Sequence, residues 1–571
     1  MMYTVIVYEP ALKFKYSLPA LFESTTSISE DDIQPDPSTY LRKYDRRLSL
    51  KYGLTTTLPP IKYKYPLAVI FLLMTKFFEA FAANGIRTVL VLYIRDDLYF
   101  SEGFATIMLH IFNFFGQFCP IFGAILADSY FGNVRTISYF CILYATGWIL
   151  LILTVMPAVG ISLIFLVSVS LLFIAIGNGS IRACITSLGA QQFKLPEQAT
   201  RLAEYFSLYY FVYYFGILLS KIVPPLVRAK SQCFGKTDCY PAVFGMLGLS
   251  FVISWSIFNL GKFYYKAEKL AEENILIKLC GCIKHALVVK WRNEHQIEQP
   301  RTYWLQYAVG KYDEDFIKDV GRVLKICKLF MPLPVYFALL AQQDSSWTFQ
   351  ASMMNMTVAD MITIQPDQAK AMGPILLFIL IPLWQYMCTP CIRRLFGEEV
   401  KPLHSVTAGG VCSALSFICA GVLQEYINSH PYRSVNIAWQ IPQFLLLMLG
   451  ELLLSIPGLK FAFTQAPASM KSVVTAAWFI NNAFGNLIVV ILTQLNMFVS
   501  QSNEYFFYAV IMFISIIVFA MLAYDYVLQE TGYLFTNNTN DTMLIRTQHL
   551  AQKYEEPNTS AASTSSRRTS V

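Results

Sequence analysis

The chain has 571 residues, 55% of them hydrophobic and only 14% charged. A soluble chain of this length carries roughly 25% charged residues, so most of this surface faces something other than water. A net charge of +7 is too modest to point to nucleic acid, and twelve cysteines over this length make no dense disulfide framework.

Residues 1–64 are polar, with charges of both signs, and read as a cytoplasmic tail rather than a signal peptide. Twelve apolar runs follow, each near the ~20 residues that cross a bilayer. They lie at about 65–93, 104–127, 136–156, 161–186, 204–224, 242–261, 328–344, 372–391, 403–424, 438–464, 472–496 and 504–526. The expected fold is an all-α membrane protein of two six-helix bundles, 65–261 and 328–526. A linker, 262–327, joins them, and a tail, 527–571, follows. Two-bundle transporters share this plan; a channel or a receptor with extra helices is the architectural alternative.

The linker is rich in Lys and Arg, from Lys262 to Arg322, which places it and both termini in the cytoplasm by the positive-inside rule. Arg393 and Arg394 agree. Lys221, Arg228, Lys230 and Lys236, after the fifth run, fall on the outer side and conflict with the rule. Cys233 and Cys239 share that outer loop, at a spacing that suits a short disulfide; two free thiols are the alternative. Asn355-Met-Thr357 falls in an outer loop as a candidate glycan site. Cys280-Gly-Cys282 is too tight for a zinc pair, so neither metal nor cofactor is expected.

A charge at the bilayer centre costs about 2.5–3.5 kcal/mol, so each one kept there is a functional candidate. The first run holds Lys76, Glu79 and Arg87. Lys76 and Glu79, at i and i+3, share a face and can neutralise each other; the pair either lines a cavity or simply ties helices together. The fourth run holds Arg182 behind Gly177-Asn-Gly-Ser-Ile, where the alternative is snorkelling to the membrane edge. His110 stands in the second run and Glu451 in the tenth. Arg87 and Arg182 opposite Glu451 form two poles that suit a zwitterion, the guanidinium gripping a carboxylate and the acid an ammonium. Tyr209, Tyr210, Phe211, Tyr213, Tyr214, Phe337, Trp347 and Trp478 are candidate walls.

The stretch Gly123-Ala-Ile-Leu-Ala-Asp128 through Gly132 and Arg135 resembles the loop between the second and third helices of the major facilitator superfamily. Gly177 to Arg182 with Gly189-Ala-Gln-Gln-Phe193, Tyr205 to Tyr210, Gln342-Gln343, Gln365-Pro-Asp-Gln368, Gly450-Glu451 and Gln465-Ala-Pro467 narrow the resemblance. They are similar to the signatures of proton-dependent oligopeptide transporters, animal branch, over about 65–526. The resemblance implies that Arg87 and Arg182 receive a peptide carboxylate and Glu451 its amine. It implies that His110 and Glu79 serve proton coupling, that Tyr210, Ser455 and Trp478 line the pocket, and that Gln385 fills the polar position of the eighth helix. Lys76, Asp128, Arg135 and Lys325 stand at positions tied to gating.

The departures are as informative. The family's Glu-x-x-Glu-Arg reads Lys76-Phe-Phe-Glu79-Ala80 here, its fifth-helix asparagine is Tyr214, and its seventh-helix acid is Ala341, with Phe337 where a tryptophan stands. The expectation is therefore a transporter, not an enzyme. It moves di- or tripeptides or a related zwitterion, by alternating access, with protons co-transported or with altered coupling. It would act as a monomer in a bilayer, the plasma membrane before a lysosomal or endosomal one. The alternatives are another organic or inorganic anion as solute, or a non-transporting sensor that kept the fold.

Overall fold

A computed structural model describes residues 66–526, apart from 157–162, 194–197, 237, 267–273, 294–303, 359–361, 397–400 and 499. The tails assigned to 1–64 and 527–571 lie outside the described residues. In chain order the helices are α1 (Leu67–Leu92), α2 (Glu102–Phe118), α3 (Pro120–Leu126), α4 (Asn133–Thr154), α5 (Leu163–Gln191), α6 (Ala199–Lys230) and α7 (Tyr240–Gly261). Then come α8 (Ile275–Asn293), α9 (Glu314–Phe330), α10 (Leu333–Gln342), α11 (Ser346–Ser352), α12 (Met372–Leu383), α13 (Thr389–Phe396), α14 (Pro402–Asn428), α15 (Ile441–Gln465) and α16 (Lys471–Leu495). The last, α17, is Gln501–Tyr526. Short 3-10 and π turns and two two-residue strands, Thr357–Val358 and Ile362–Thr363, are the other regular elements among the described residues.

Eleven helices are long and apolar enough to cross a membrane, and a twelfth span forms if α9 counts together with α10 and α11, which bend by 48°. The protein is thus a multi-pass membrane protein of all-α fold. The bend falls at Met331-Pro332, where proline cannot continue the hydrogen-bond ladder. Helix α9 starts back at Glu314, well before the apolar run, because that stretch is amphipathic rather than apolar and so escapes a search by hydropathy.

Residue contacts divide the chain into two units. One is Met1–Asn274 with Ala359–Ile375; the other is Ile275–Val358 with Leu376–Val571. In the first unit α4 lies along α5, and α1 packs against α6 and α7. Small residues set these approaches: a Cβ on Gly179 of α5 would stand 2.8 Å from the Gly116 carbonyl oxygen of α2. That is too close for any side chain, so Gly179 lets α2 reach α5. In the second unit α14 lies along α15 and α10 along α16. A Cβ on Gly409 would meet the Leu454 backbone nitrogen at 2.7 Å.

Candidate functional site

In the first unit the charges of the first apolar run are buried within the protein. Lys76 and Glu79 are 1% and 3% exposed. Their i, i+3 spacing on α1 closes a 2.7 Å ion pair. Glu79 also accepts a hydrogen bond from Asn178 Nδ2 of α5. The Lys76 ammonium sits 4.7 Å from the centre of the Tyr213 ring and 5.9 Å from that of Tyr209, both on α6. Aromatic faces stabilise a desolvated cation, by about 2 kcal/mol or more where water is excluded. The two charges compensate each other, and each has further support, Glu79 from an amide and Lys76 from two rings.

Arg87, two turns further along α1, donates from Nε to Asn113 Oδ1 of α2 at 2.9 Å and from Nη1 to Asn84 Oδ1 at 3.0 Å. The Phe112 ring lies 5.4 Å from its guanidinium carbon. Arg182 donates from Nη1 to Gln117 Oε1 of α2 at 3.0 Å. Its Nε is buried with no hydrogen-bond partner among the described residues. His110, Asn113 and Gln117 are at i, i+3 and i+7, so α2 turns one polar face toward these arginines, with His110 fully buried on it. Asn113 and Gln117 went unnoticed in the sequence, and Asn178 stood there only as part of the Gly177–Arg182 motif, because the helices that use them are far away in the chain. Tyr210 and Tyr214 are half-buried on α6.

The second unit carries Glu451, half-buried on α15. One turn on, Ser455 shares a 3.1 Å hydrogen bond with Tyr336, which is fully buried on α10 and was not foreseen. Trp478 of α16 is buried edge-on to Phe330 and Phe337, with ring centres at 5.2 and 5.9 Å. Gln385 stays exposed, in the π-turn Trp384–Cys388 between α12 and α13, away from this cluster. Asp128, Arg135 and Lys325 are exposed as well. Cys388-Thr-Pro-Cys391 has the spacing of a metal pair, contrary to the expectation that the sequence holds no Cys-x-x-Cys pair. No group of three or more ligating side chains stands together among the described residues.

The loop between α6 and α7 pairs several of its charges within the first unit. Cys233 and Cys239 form a disulfide. Arg228 pairs with Asp238 at 3.1 Å and with Asp367, itself fully buried, at 3.0 Å. Lys236 pairs with Asp97 at 2.6 Å. Two of the four cations after the fifth run, Arg228 and Lys236, thus have acid partners; the conflict with the positive-inside rule stands, because that rule counts Lys and Arg whatever acids stand beside them. Lys370, 1% exposed, donates to the Thr88 and Arg87 carbonyl oxygens of α1 at 3.0 and 3.4 Å. Asp367 and Lys370 follow directly on the Gln365-Pro signature, whose capping box starts the 3-10 turn at Pro366. In the second unit Asn355 is half-buried, its backbone bonded to Val435 and Ile437 and its Oδ1 to the Thr357 amide.

A family profile described as the POT family matches residues 134–508, more than half of the chain. "Peptide transporter family 1" of Drosophila melanogaster is 34% identical over 379 residues, covering 66% of this chain and 50% of that protein. "Solute carrier family 15 member 2" of Homo sapiens is 34% identical over 367 residues, covering 64% and 50%. The chain thus spans about half the length of the curated relatives it matches. Among solved structures, the crystal structure of the POT family transporter PepTSo superposes with a TM-score of 0.70 at 23% identity, over 82% of this chain and 99% of that one. At that identity the likeness speaks to fold.

Proposed function

Since the chain belongs to the POT family, we propose that it carries short peptides, or a small zwitterion of the same chemistry, across a bilayer by alternating access, with its coupling to protons altered. The observation that carries this is Arg182. One edge of its guanidinium is fixed by Gln117, and its buried Nε has no partner among the described residues. A buried donor left unmet costs about 1–3 kcal/mol, so a carboxylate arriving there is bound by a group already held in place. Arg87, held by Asn84 and Asn113, is the second such cation. Glu451 in the other unit is the acid for the amine. Family relationship supports the solute class, since the Drosophila relative is named a peptide transporter.

The altered coupling rests on Lys76. An ammonium bonded to Glu79 occupies the place where a proton would otherwise neutralise that carboxylate. His110 is the titratable group left for coupling in α2. Tyr210, Tyr214, Phe337, Ser455 and Trp478 serve as pocket walls in this reading, and Asp128, Arg135 and Lys325 as contacts of the gates. The two six-helix bundles, 65–261 and 328–526, move as the alternating halves. Both termini face the cytoplasm, the disulfide faces the oxidising outer side, Asn355 is open to glycosylation, and the plasma membrane is the site of action of a monomer.

Uptake of a panel of labelled di- and tripeptides into proteoliposomes tests the proposal. Saturable uptake by the intact chain, lost in Arg182→Ala, is expected. No uptake across the panel overturns it. Since cations outnumber acids at the two poles, an organic anion is the second reading. Glu451→Ala separates the two: it abolishes uptake of a zwitterion and leaves that of an anion undiminished.

A further inference from the structure

Helix α8 lies in the linker after α7, and its outer face is unusual. Leu279, Cys282 and Ala286 are buried, packed against the 3-10 turn Trp304–Ala308. The opposite side of a cytoplasmic helix is ordinarily polar. Here Cys280, Lys284, Leu287 and Trp291, at i, i+4, i+7 and i+11, form one exposed stripe. Leu287 is 51% and Trp291 79% exposed, and Val288 beside them is exposed too. Lys284, Lys290 and Arg292 are the exposed charges of this helix, which contains no Asp or Glu.

The position of the helix says what covers that stripe. Asn274, the residue before α8, donates to Ser129 Oγ at 3.1 Å. Ser129 lies at the end of the second membrane-spanning stretch, Glu102–Phe131. Helix α8 therefore leaves from the level where a span meets water. Apolar side chains with a tryptophan, bordered by Lys and Arg and free of acids, fit a helix lying in a headgroup layer. The aliphatic stems of the basic residues cover apolar surface while their heads reach phosphates.

We infer that α8 is an interfacial helix that binds the cytoplasmic leaflet through Leu287, Val288 and Trp291 and selects anionic lipid headgroups through Lys284, Lys290 and Arg292. Each basic residue beside an anionic leaflet strengthens the contact about fivefold. The leaflet's composition thereby acts on the linker that joins the two units, whatever solute the protein carries.

The intact chain, reconstituted with dibrominated phosphatidylserine or dibrominated phosphatidylcholine as quencher, gives the test. The Trp291 signal is the fluorescence difference between the natural chain and Trp291→Phe. Strong quenching is expected, with a preference for the serine lipid of roughly tenfold or more from three cations. The triple variant Lys284→Glu, Lys290→Glu, Arg292→Glu, altered only at exposed positions, removes that preference and leaves solute uptake in place. No quenching of Trp291 by either lipid overturns the inference, and so does equal quenching by both. A Trp291 signal shielded at high protein-to-lipid ratio and exposed on dilution marks a second copy on this face and overturns it too.

Discussion

Lys76 shows how one side chain redirects a site. Breaking a buried ion pair by removing one partner costs about 3–5 kcal/mol, because the other charge is left uncompensated. Lys76→Gln therefore leaves the Glu79 carboxylate without a counter-charge, hydrogen-bonded by the Asn178 amide. A proton is then the cheapest replacement, and uptake by Lys76→Gln is expected to rise as the medium is acidified. The natural chain, with its ammonium in place, is expected to respond much less. Uptake measured across a pH series for both proteins checks this, and equal acid stimulation in the two sinks the role given to Lys76. Glu79→Gln strands the ammonium instead and is expected to lower the melting temperature in detergent by several degrees. The Lys76–Glu79 pair was legible in the sequence because i, i+3 spacing on a helix leaves little choice. The partners of Arg87 were not read from the sequence, which offered no obvious local partner: Asn84 stands one turn away, and Asn113 lies on another helix. Asn178 is 99 residues from the Glu79 it serves, and no local pattern announces such a bond.

At the scale of elements, hydropathy recovered the spans because each must be apolar for the length of a bilayer. It placed the start of the seventh at Lys328, whereas the helix begins at Glu314 and breaks at Pro332. Hydropathy also could not say that the turn before α12 belongs with the first unit. That docking depends on charges: Asp367 on Arg228 of α6, and Lys370 on the open carbonyl oxygens of α1. Asp367→Asn keeps the shape and removes the charge. Arg228 then has only Asp238, which is partly exposed. A loss of about 3–5 kcal/mol in stability is expected from one broken buried pair, read as a lower melting temperature. Arg228→Gln alone is expected to cost a similar amount, and the double variant less than the sum of the two. A double-mutant cycle with strictly additive losses rejects a direct coupling between these side chains.

For the whole molecule, the proposed transport raises the question of what would drive a solute uphill. A ligand shifts a conformational equilibrium only as far as its affinities for the two states differ. A proton can therefore drive transport only if some site takes it up on one side and releases it on the other. Lys76 is covalently part of α1 and cannot leave as a proton does, so in the proposed reading its ammonium stays beside Glu79 as a fixed charge. Of the groups assigned to coupling, His110 is left, enclosed on α2 beside the residues that hold the arginines. Two transport assays distinguish the possibilities. In counterflow, labelled solute exchanges against unlabelled solute without any gradient, and the natural chain is expected to perform it fully. Under an imposed pH gradient, acid outside, accumulation above the external concentration is expected to be weak in the natural chain and stronger in Lys76→Glu, which restores an acid at that position. Strong uphill accumulation by the natural chain that disappears in His110→Ala moves the drive to α2 and removes Lys76 from the explanation. Strong accumulation that survives His110→Ala requires a proton site outside both residues, and the altered-coupling reading fails.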